Sequence, residues 1–233
     1  LLLNIDTATE QASVCLSDAD TIFALKISND QKNHASFIQT AIKELFNETG
    51  HTLQQIVAVA VIAGPGSYTG LRVGMATAKG LCYALQKPLI LKNTLEVIAL
   101  AALQEYKDTA TTNLLLCPMI DARRMEVFTA LYNTSLQPVM NPAAAILDEN
   151  SFKEQLDTNT ILFCGSGHHK FRSISNSPNA SFSNVQHHAG HLAMLAATAF
   201  EQNKFANIAY CEPFYLKEFF TAKQPVRQNE NLL

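Results

Sequence analysis

The chain has 233 residues, of which 48% are hydrophobic and 16% charged, with a formal net charge of −3. That composition excludes a disordered chain and is enough for one large or two small cores. The slight acidity and the lack of a Lys/Arg stripe exclude charge-driven nucleic-acid binding, and no apolar run reaches the roughly 18 residues of a membrane span.

In chain order, Leu1–Asp6 reads as a core strand that meets the turn Asp6-Thr7-Ala8-Thr9-Glu10; it has no basic segment of the kind that opens a signal peptide. Ser13–Leu16 and Thr21–Ile27 come next as strands, joined by a hairpin at Asp18-Ala19-Asp20. An Asp-Thr pair at such a turn can approach phosphate or a metal-bound water; turn chemistry alone also accounts for it. A helix is predicted from His34 to Glu48, closed by Gly50, with a stripe of Phe37, Ile38, Ala41, Ile42, Leu45 and Phe46. His34 reads as a capping or surface residue.

Val57–Ala63 is an uncharged, β-branched run, a buried strand that feeds Gly64-Pro65-Gly66-Ser67-Tyr68-Thr69-Gly70-Leu71-Arg72-Val73-Gly74. A helix over 68–85 is predicted, with Ser67 or Thr69 as its N-cap. Gly66, Gly70, Gly74 and Ala78 recur every four residues. A glycine inside a helix costs about 1 kcal/mol against alanine, so the row implies close approach of another backbone. Arg72 and Lys79 are the only charges from Tyr68 to Leu85, so this helix is expected to be covered on more than one side. The glycine loop is also a candidate phosphate cradle, though it is neither a Walker A loop nor GxGxxG in frame.

Pro88–Leu91 reads as a strand and Thr94–Tyr106 as a helix; the order implies an antiparallel meander joined to parallel strands. The polar patch 107–113 marks a boundary, dividing a first lobe, 1–108, from a second, 109–220, with a polar tail over 221–233. The second half again opens on an apolar strand, Leu114–Ile120, ending at Asp121, with a returning strand Glu126–Tyr132, so two related lobes are expected. Pro138 and Pro142 are read as breaking the regular structure after Tyr132. A strand at Ile161–Cys164, a loop at Gly165-Ser166-Gly167 and a helix over Ala189–Asn203 complete the second half.

Cys15, Cys82, Cys117, Cys164 and Cys211 are dispersed, with no zinc spacing, and read as reduced thiols of a cytoplasmic protein. His187 and His191 are four apart near a helix start. HxxxH can hold a metal, but the zincin glutamate and a third ligand are missing, and solvent-facing caps are the better account. No nucleophile elbow is present.

The strand end Ile5-Asp6-Thr7-Ala8-Thr9, the segment Gly64–Gly74, Ala76-Thr77-Ala78-Lys79-Gly80-Leu81 and Asp121-Ala122-Arg123-Arg124-Met125-Glu126-Val127 resemble the TsaB (YeaZ) family in order and spacing over roughly the first 130 residues. The resemblance implies an α/β, actin-like/Hsp70/sugar-kinase (ribonuclease H-like) two-lobed fold, with a mixed five-stranded sheet in the N-lobe and a reduced C-lobe. It implies a bacterial cytoplasmic protein needed for threonylcarbamoyladenosine at position 37 of ANN-decoding tRNAs. Such a protein resembles the catalytic TsaD without being the catalyst, pairs with TsaD through N-lobe helices, joins the ATPase TsaE, and forms a homodimer when alone. It meets tRNA only through the complex.

TsaD carries HxxxH metal ligands after its fourth N-lobe strand; Thr94 and Ile98 stand at the matching positions here, so no metal site is expected. The expected partner interface is Phe37, Ile38, Ala41, Leu45, Tyr68, Gly70, Leu71, Arg72, Gly74, Met75 and Ala78, with Arg72 setting register. Gly74→Leu is expected to wedge the helices apart and leave the fold intact. No cofactor is expected to bind tightly, with ATP or ADP at the partner interface as the candidate. The alternative is an ATP-dependent, kinase-like phosphotransferase using Asp6, Thr7, Gly165 and Gly167.

Overall fold

The structure is a computed structural model that describes residues 1–19, 21–30, 33–107 and 113–217. Asp20 of the expected hairpin, the patch at 108–112 and the tail from Thr221 lie outside them.

Two five-stranded sheets are built on one plan. In the first, β1 (Leu2–Asp6), β2 (Ala12–Asp18) and β3 (Thr21–Ser28) form the antiparallel meander, and β4 (Ala58–Gly64) and β5 (Leu89–Asn93) add in parallel, giving the order β3-β2-β1-β4-β5. In the second, β6 (Leu114–Asp121), β7 (Glu126–Tyr132), β8 (Pro138–Ile146), β9 (Thr160–Cys164) and β10 (Ala180–Phe182) repeat it as β10-β9-β6-β7-β8, with the same parallel and antiparallel pairings. The helices repeat too. α1 (His34–Thr49), α2 (Tyr68–Leu85) and α3 (Thr94–Glu105) in the first half correspond to α4 (Lys153–Leu156), α5 (His168–Arg172) and α6 (Ala189–Glu201) in the second. This duplicated ribonuclease H-like unit is the expected actin-like fold. The second lobe is reduced in its helices, not its sheet.

Strand alternation decides what each face covers. Leu3 and Ile5 of β1, with Val59 and Val61 of β4, meet Ile38, Ala41 and Leu45 of α1 and Met75, Ala78 and Cys82 of α2. Leu2, Ala58, Ala60 and Ile62 point the other way, onto Val97 and Leu100 of α3 and Leu192, Leu195 and Ala196 of α6. The last helix of the second half therefore closes the first sheet. α3 turns its remaining side, Leu95, Ile98, Ala99 and Ala102, onto Leu114, Leu116 and Ile120 of the second sheet. A helix pressed between two sheets is apolar all round, which its sequence shows.

One expectation changes. Pro138 and Pro142 do not break the chain: they lie in β8, an edge strand where a missing N–H is tolerated. The loop expected at Gly165-Ser166-Gly167 is present, and the short helix α5 follows it.

Candidate functional site

Asp6 ends β1 and is 1% exposed. Its Oδ1 accepts from the Ala8 amide at 3.1 Å, and its Oδ2 lies 3.3 Å from Nε2 of buried His187, in ion-pair range without an aligned hydrogen bond. Burial raises the Asp6 carboxyl to about 7, against smaller opposing effects of the Ala8 amide and the nearby His188 and His34 rings. Burial pushes His187 down to about 4. Near neutrality the imidazole is uncharged beside a carboxyl held far above the usual carboxylate range. The sequence places these two groups at opposite ends of the chain; α6, returning to the first sheet, brings them together.

The neighbouring histidines are structural. His188 caps α6 by accepting from the Gly190 amide at 3.1 Å, and Nδ1 of His191 accepts from the His188 amide at 3.1 Å. His187 and His191 therefore do not converge on one point. The His187 side chain is only 9% exposed and His191 is half-buried, so the solvent-facing part of the reading is corrected while the capping part holds for His191; packing of α6 onto β1 and β2 is the reason. His34 is also buried, with Nε2 3.2 Å from the Glu10 carbonyl.

The turn after Asp6 is held by the glycine helix. Thr7 Oγ1 donates to the Gly70 carbonyl at 2.7 Å, and the Ser67 amide donates to the Ala8 carbonyl at 2.7 Å. Ser67 is the N-cap, accepting from the Gly70 amide at 3.3 Å. A Cβ at Gly66 would strike the Ala8 carbonyl, at Gly70 the Thr7 carbonyl, and at Gly74 the Thr7 hydroxyl. The glycine row is thus the seat of the chain's own β1–β2 turn. Thr7 is sealed beneath it, while Asp6 points to the opposite face of the sheet, toward His187; each is about 1% exposed.

Gly165 and Gly167 serve the second lobe in a comparable way. Gly165 has φ 81°, a Cβ there would meet the Met119 carbonyl, and the Gly167 amide donates to that carbonyl at 2.9 Å. Ser166 Oγ accepts from the Asp121 amide at 3.1 Å. Asp121 occupies the place in β6 that Asp6 has in β1, but it is exposed and bonded to Lys170 Nζ at 2.8 Å. Partial desolvation works to raise its pKa; the Lys170 hydrogen bond and charge and the Arg123 amide outweigh it, and the pKa falls. Each of the two glycine sites is bound into its own lobe.

The expected partner surface divides in two. Ile38, Ala41, Leu45, Gly70, Leu71, Gly74, Met75 and Ala78 are buried within the first lobe. Phe37 and Tyr68 are half-buried, and Arg72 is exposed. The open face of α2 carries Thr69, Arg72, Ala76, Gly80 and Tyr83, and Tyr83 is 82% exposed. The expectation that Gly74→Leu leaves the fold intact is corrected: its side chain would enter the space of Thr7.

Thr94 and Ile98 are buried on α3; Thr94 Oγ1 has no hydrogen-bond partner among the described residues, and Asn93 caps the helix by accepting from the Leu95 amide at 2.9 Å. A hydroxyl and a sec-butyl group do not fit a metal-ligand pair. Among the described residues, no group of three or more His, Cys, Asp and Glu stands close enough to hold a metal ion. No described helix is long and apolar enough to cross a membrane.

Two ribonuclease H-like sheets with a sealed strand-end aspartate define a two-lobed protein of the actin-like class. The profile of the family described as TsaD, tRNA N6-adenosine threonylcarbamoyltransferase, matches residues 21–228. The chain belongs to that family and, within it, to the TsaB (YeaZ) branch. It is 36% identical over 131 residues to the tRNA threonylcarbamoyladenosine biosynthesis protein TsaB of Bacillus subtilis (strain 168), covering 56% of this chain and 54% of that one. Identity to the Escherichia coli (strain K12) protein of the same name is 35% over 131 residues, again covering 56% and 54%. The match thus spans about half the length of these curated relatives. Among solved structures, YeaZ from Pseudomonas aeruginosa superposes with a TM-score of 0.75 at 26% identity, covering 92% of this chain and 99% of that one.

Proposed function

We propose that this chain is a non-catalytic, activating subunit in threonylcarbamoyladenosine biosynthesis on ANN-decoding tRNAs. It pairs with a catalytic TsaD subunit and with the ATPase TsaE, and self-associates when alone. The observation that carries the reading is the pair Thr94 and Ile98. They stand where the resemblance puts the metal-ligating histidines of TsaD, and they have no ligand chemistry. The buried Asp6 and Thr7 argue the same way, because their oxygens are spent on internal contacts and not presented to a nucleotide.

The open face of α2 supports the pairing half of the proposal. It combines small residues with an exposed arginine and an exposed tyrosine, Tyr83, a composition favoured at interface anchors. The proposal places the chain in the cytoplasm, meeting tRNA only through the assembled complex. The kinase-like phosphotransferase reading has no such support. The test is reconstitution of tRNA modification from TsaD, TsaE, threonylcarbamoyl-adenylate and tRNA, with and without this chain. Modification should depend on its addition, and the chain with tRNA and the adenylate should transfer nothing. Transfer by the chain unaided, or a rate indifferent to it, would overturn the proposal.

A further inference from the structure

After α6 the chain crosses back over the first lobe, and the segment Cys211–Lys217 lies along the open face of α2. Lys79 Nζ donates to the Cys211 carbonyl at 3.0 Å, and the Phe214 amide donates to the Ala63 carbonyl at 2.6 Å. Arg72 Nε donates to the Tyr215 hydroxyl at 3.2 Å. The Arg72 guanidinium also lies over the Tyr68 ring, 4.2 Å from its centroid, and the Tyr68 and Tyr215 rings are 5.3 Å apart. Beyond them Lys217 pairs with Glu126 of β7, so the segment ties the first lobe to the second.

Two features distinguish this strap from a packed element. It has no regular structure, and Glu212, Phe214, Tyr215 and Lys217 remain exposed. It also leaves a groove of about 460 Å³ against α2, lined by Arg72, Met75, Ala76, Lys79, Pro213 and Tyr215 among others. The groove is open to solvent, so the strap is laid over α2 and is not packed into the core. The Lys79–Cys211 hydrogen bond is partly buried but the Arg72–Tyr215 bond is exposed, so the Tyr215 end of the strap opens at the lower free-energy cost.

We infer that the strap is a displaceable, autoinhibitory cover on α2. Tyr215 occupies Arg72 in cis, and a partner that takes Arg72 must first release Tyr215 and lift the segment. The inference rests on the proposal that the partner is a catalytic TsaD subunit. Glu212 of the strap also lines the groove and acts on Arg72, so the strap supplies a carboxylate in cis; a partner that displaces it brings its own carboxylate toward Arg72 and Lys79, and an aliphatic side chain for the space under Pro213.

The test compares hydrogen exchange across residues 211–217 in the full chain, free and in complex with TsaD, and measures the affinity of Tyr215→Ala for TsaD. Exchange at the Phe214 amide should accelerate in the complex. Tyr215→Ala should pair about fivefold more tightly, the worth of one exposed hydrogen bond and ring contact. A Phe214 amide equally or better protected in the complex, or weaker or unchanged pairing of Tyr215→Ala, overturns the strap while leaving the pairing intact. No pairing by the wild-type chain overturns the proposed function and the strap together.

Discussion

The Asp6 carboxylate and the His187 imidazole, joined across the first and last thirds of the chain, lie 3.3 Å apart, their side chains 1% and 9% exposed. Their titrations oppose one another. Asp6, raised from near 4 to about 7, contributes stability that is present below pH 4 and lost as pH rises to 7. His187, lowered from 6.5 to about 4, contributes stability present above pH 6.5 and lost as pH falls toward 4. Over pH 4–6.5 the two nearly cancel.

Asp6→Asn keeps the Oδ1 acceptor for Ala8 and removes one side of that balance. The variant should match wild type near pH 4 and exceed it at pH 8 by on the order of 2–4 kcal/mol, because each tenfold change in proton affinity is worth about 1.4 kcal/mol. Thermal melts of both proteins from pH 4 to 8 measure this. A stability difference that does not change with pH would show that Asp6 ionises in the fold as freely as in water.

The glycine ladder supplies a steric prediction. Gly70→Ala puts a methyl group into the Thr7 carbonyl, a backbone atom, and Gly74→Ala puts one into the Thr7 hydroxyl, which is tied to the Gly70 carbonyl. Each should lower stability by about 1–3 kcal/mol, the usual cost of overpacking, despite alanine's better helix propensity. Gly80→Ala, where a methyl group meets nothing, should leave stability equal or higher. Denaturant midpoints of the three variants decide it. Equal gains at all three would mean the turn does not seat on the helix.

Much of the fold is legible in the sequence because its signals are local. β-Branched runs bounded by turn residues place β1, β4 and β6, and the 3.6-residue stripe places α1. The echo of a strand ending in aspartate reveals the duplication on its own. The site is less legible because its contacts are long-range. The spacing of the glycines shows that something approaches closely, but not that it is Thr7 of the same lobe rather than a partner. Likewise HxxxH spacing cannot show that α6 leaves its own half, turning His187 inward to Asp6. β8 escapes detection because proline signals a break unless the strand is known to be an edge.

α6 is stapled to the first lobe by one buried hydrogen bond, from the Ala189 amide to Ser13 Oγ at 2.8 Å. Ser13→Ala leaves that amide without its acceptor in a site closed to water. Loss of about 1–3 kcal/mol is expected. Hydrogen exchange should show faster opening of α6 than of α1, since the lesion sits at the seam between the returning helix and β2. Uniform destabilisation of every helix would indicate that α6 does not open separately.

The open face of α2 can be tested apart from the fold. Ala76 is exposed and stands one helical turn from Arg72, beside the groove. Ala76→Arg adds bulk and a third cation next to Arg72 and Lys79, and it touches no buried residue of its own lobe. Stability should stay within about 0.5 kcal/mol of wild type, as for surface changes generally. Pairing with TsaD should weaken at least tenfold, because an anchor region rejects unpaired charge far more strongly than the rim does. Calorimetric titration of TsaD with the variant, alongside a thermal melt, separates the two effects. A variant that melts like wild type and still pairs with undiminished affinity would exclude this face from the contact. The pairing surface would then lie elsewhere, leaving the few charges of α2 to hold the chain's own strap.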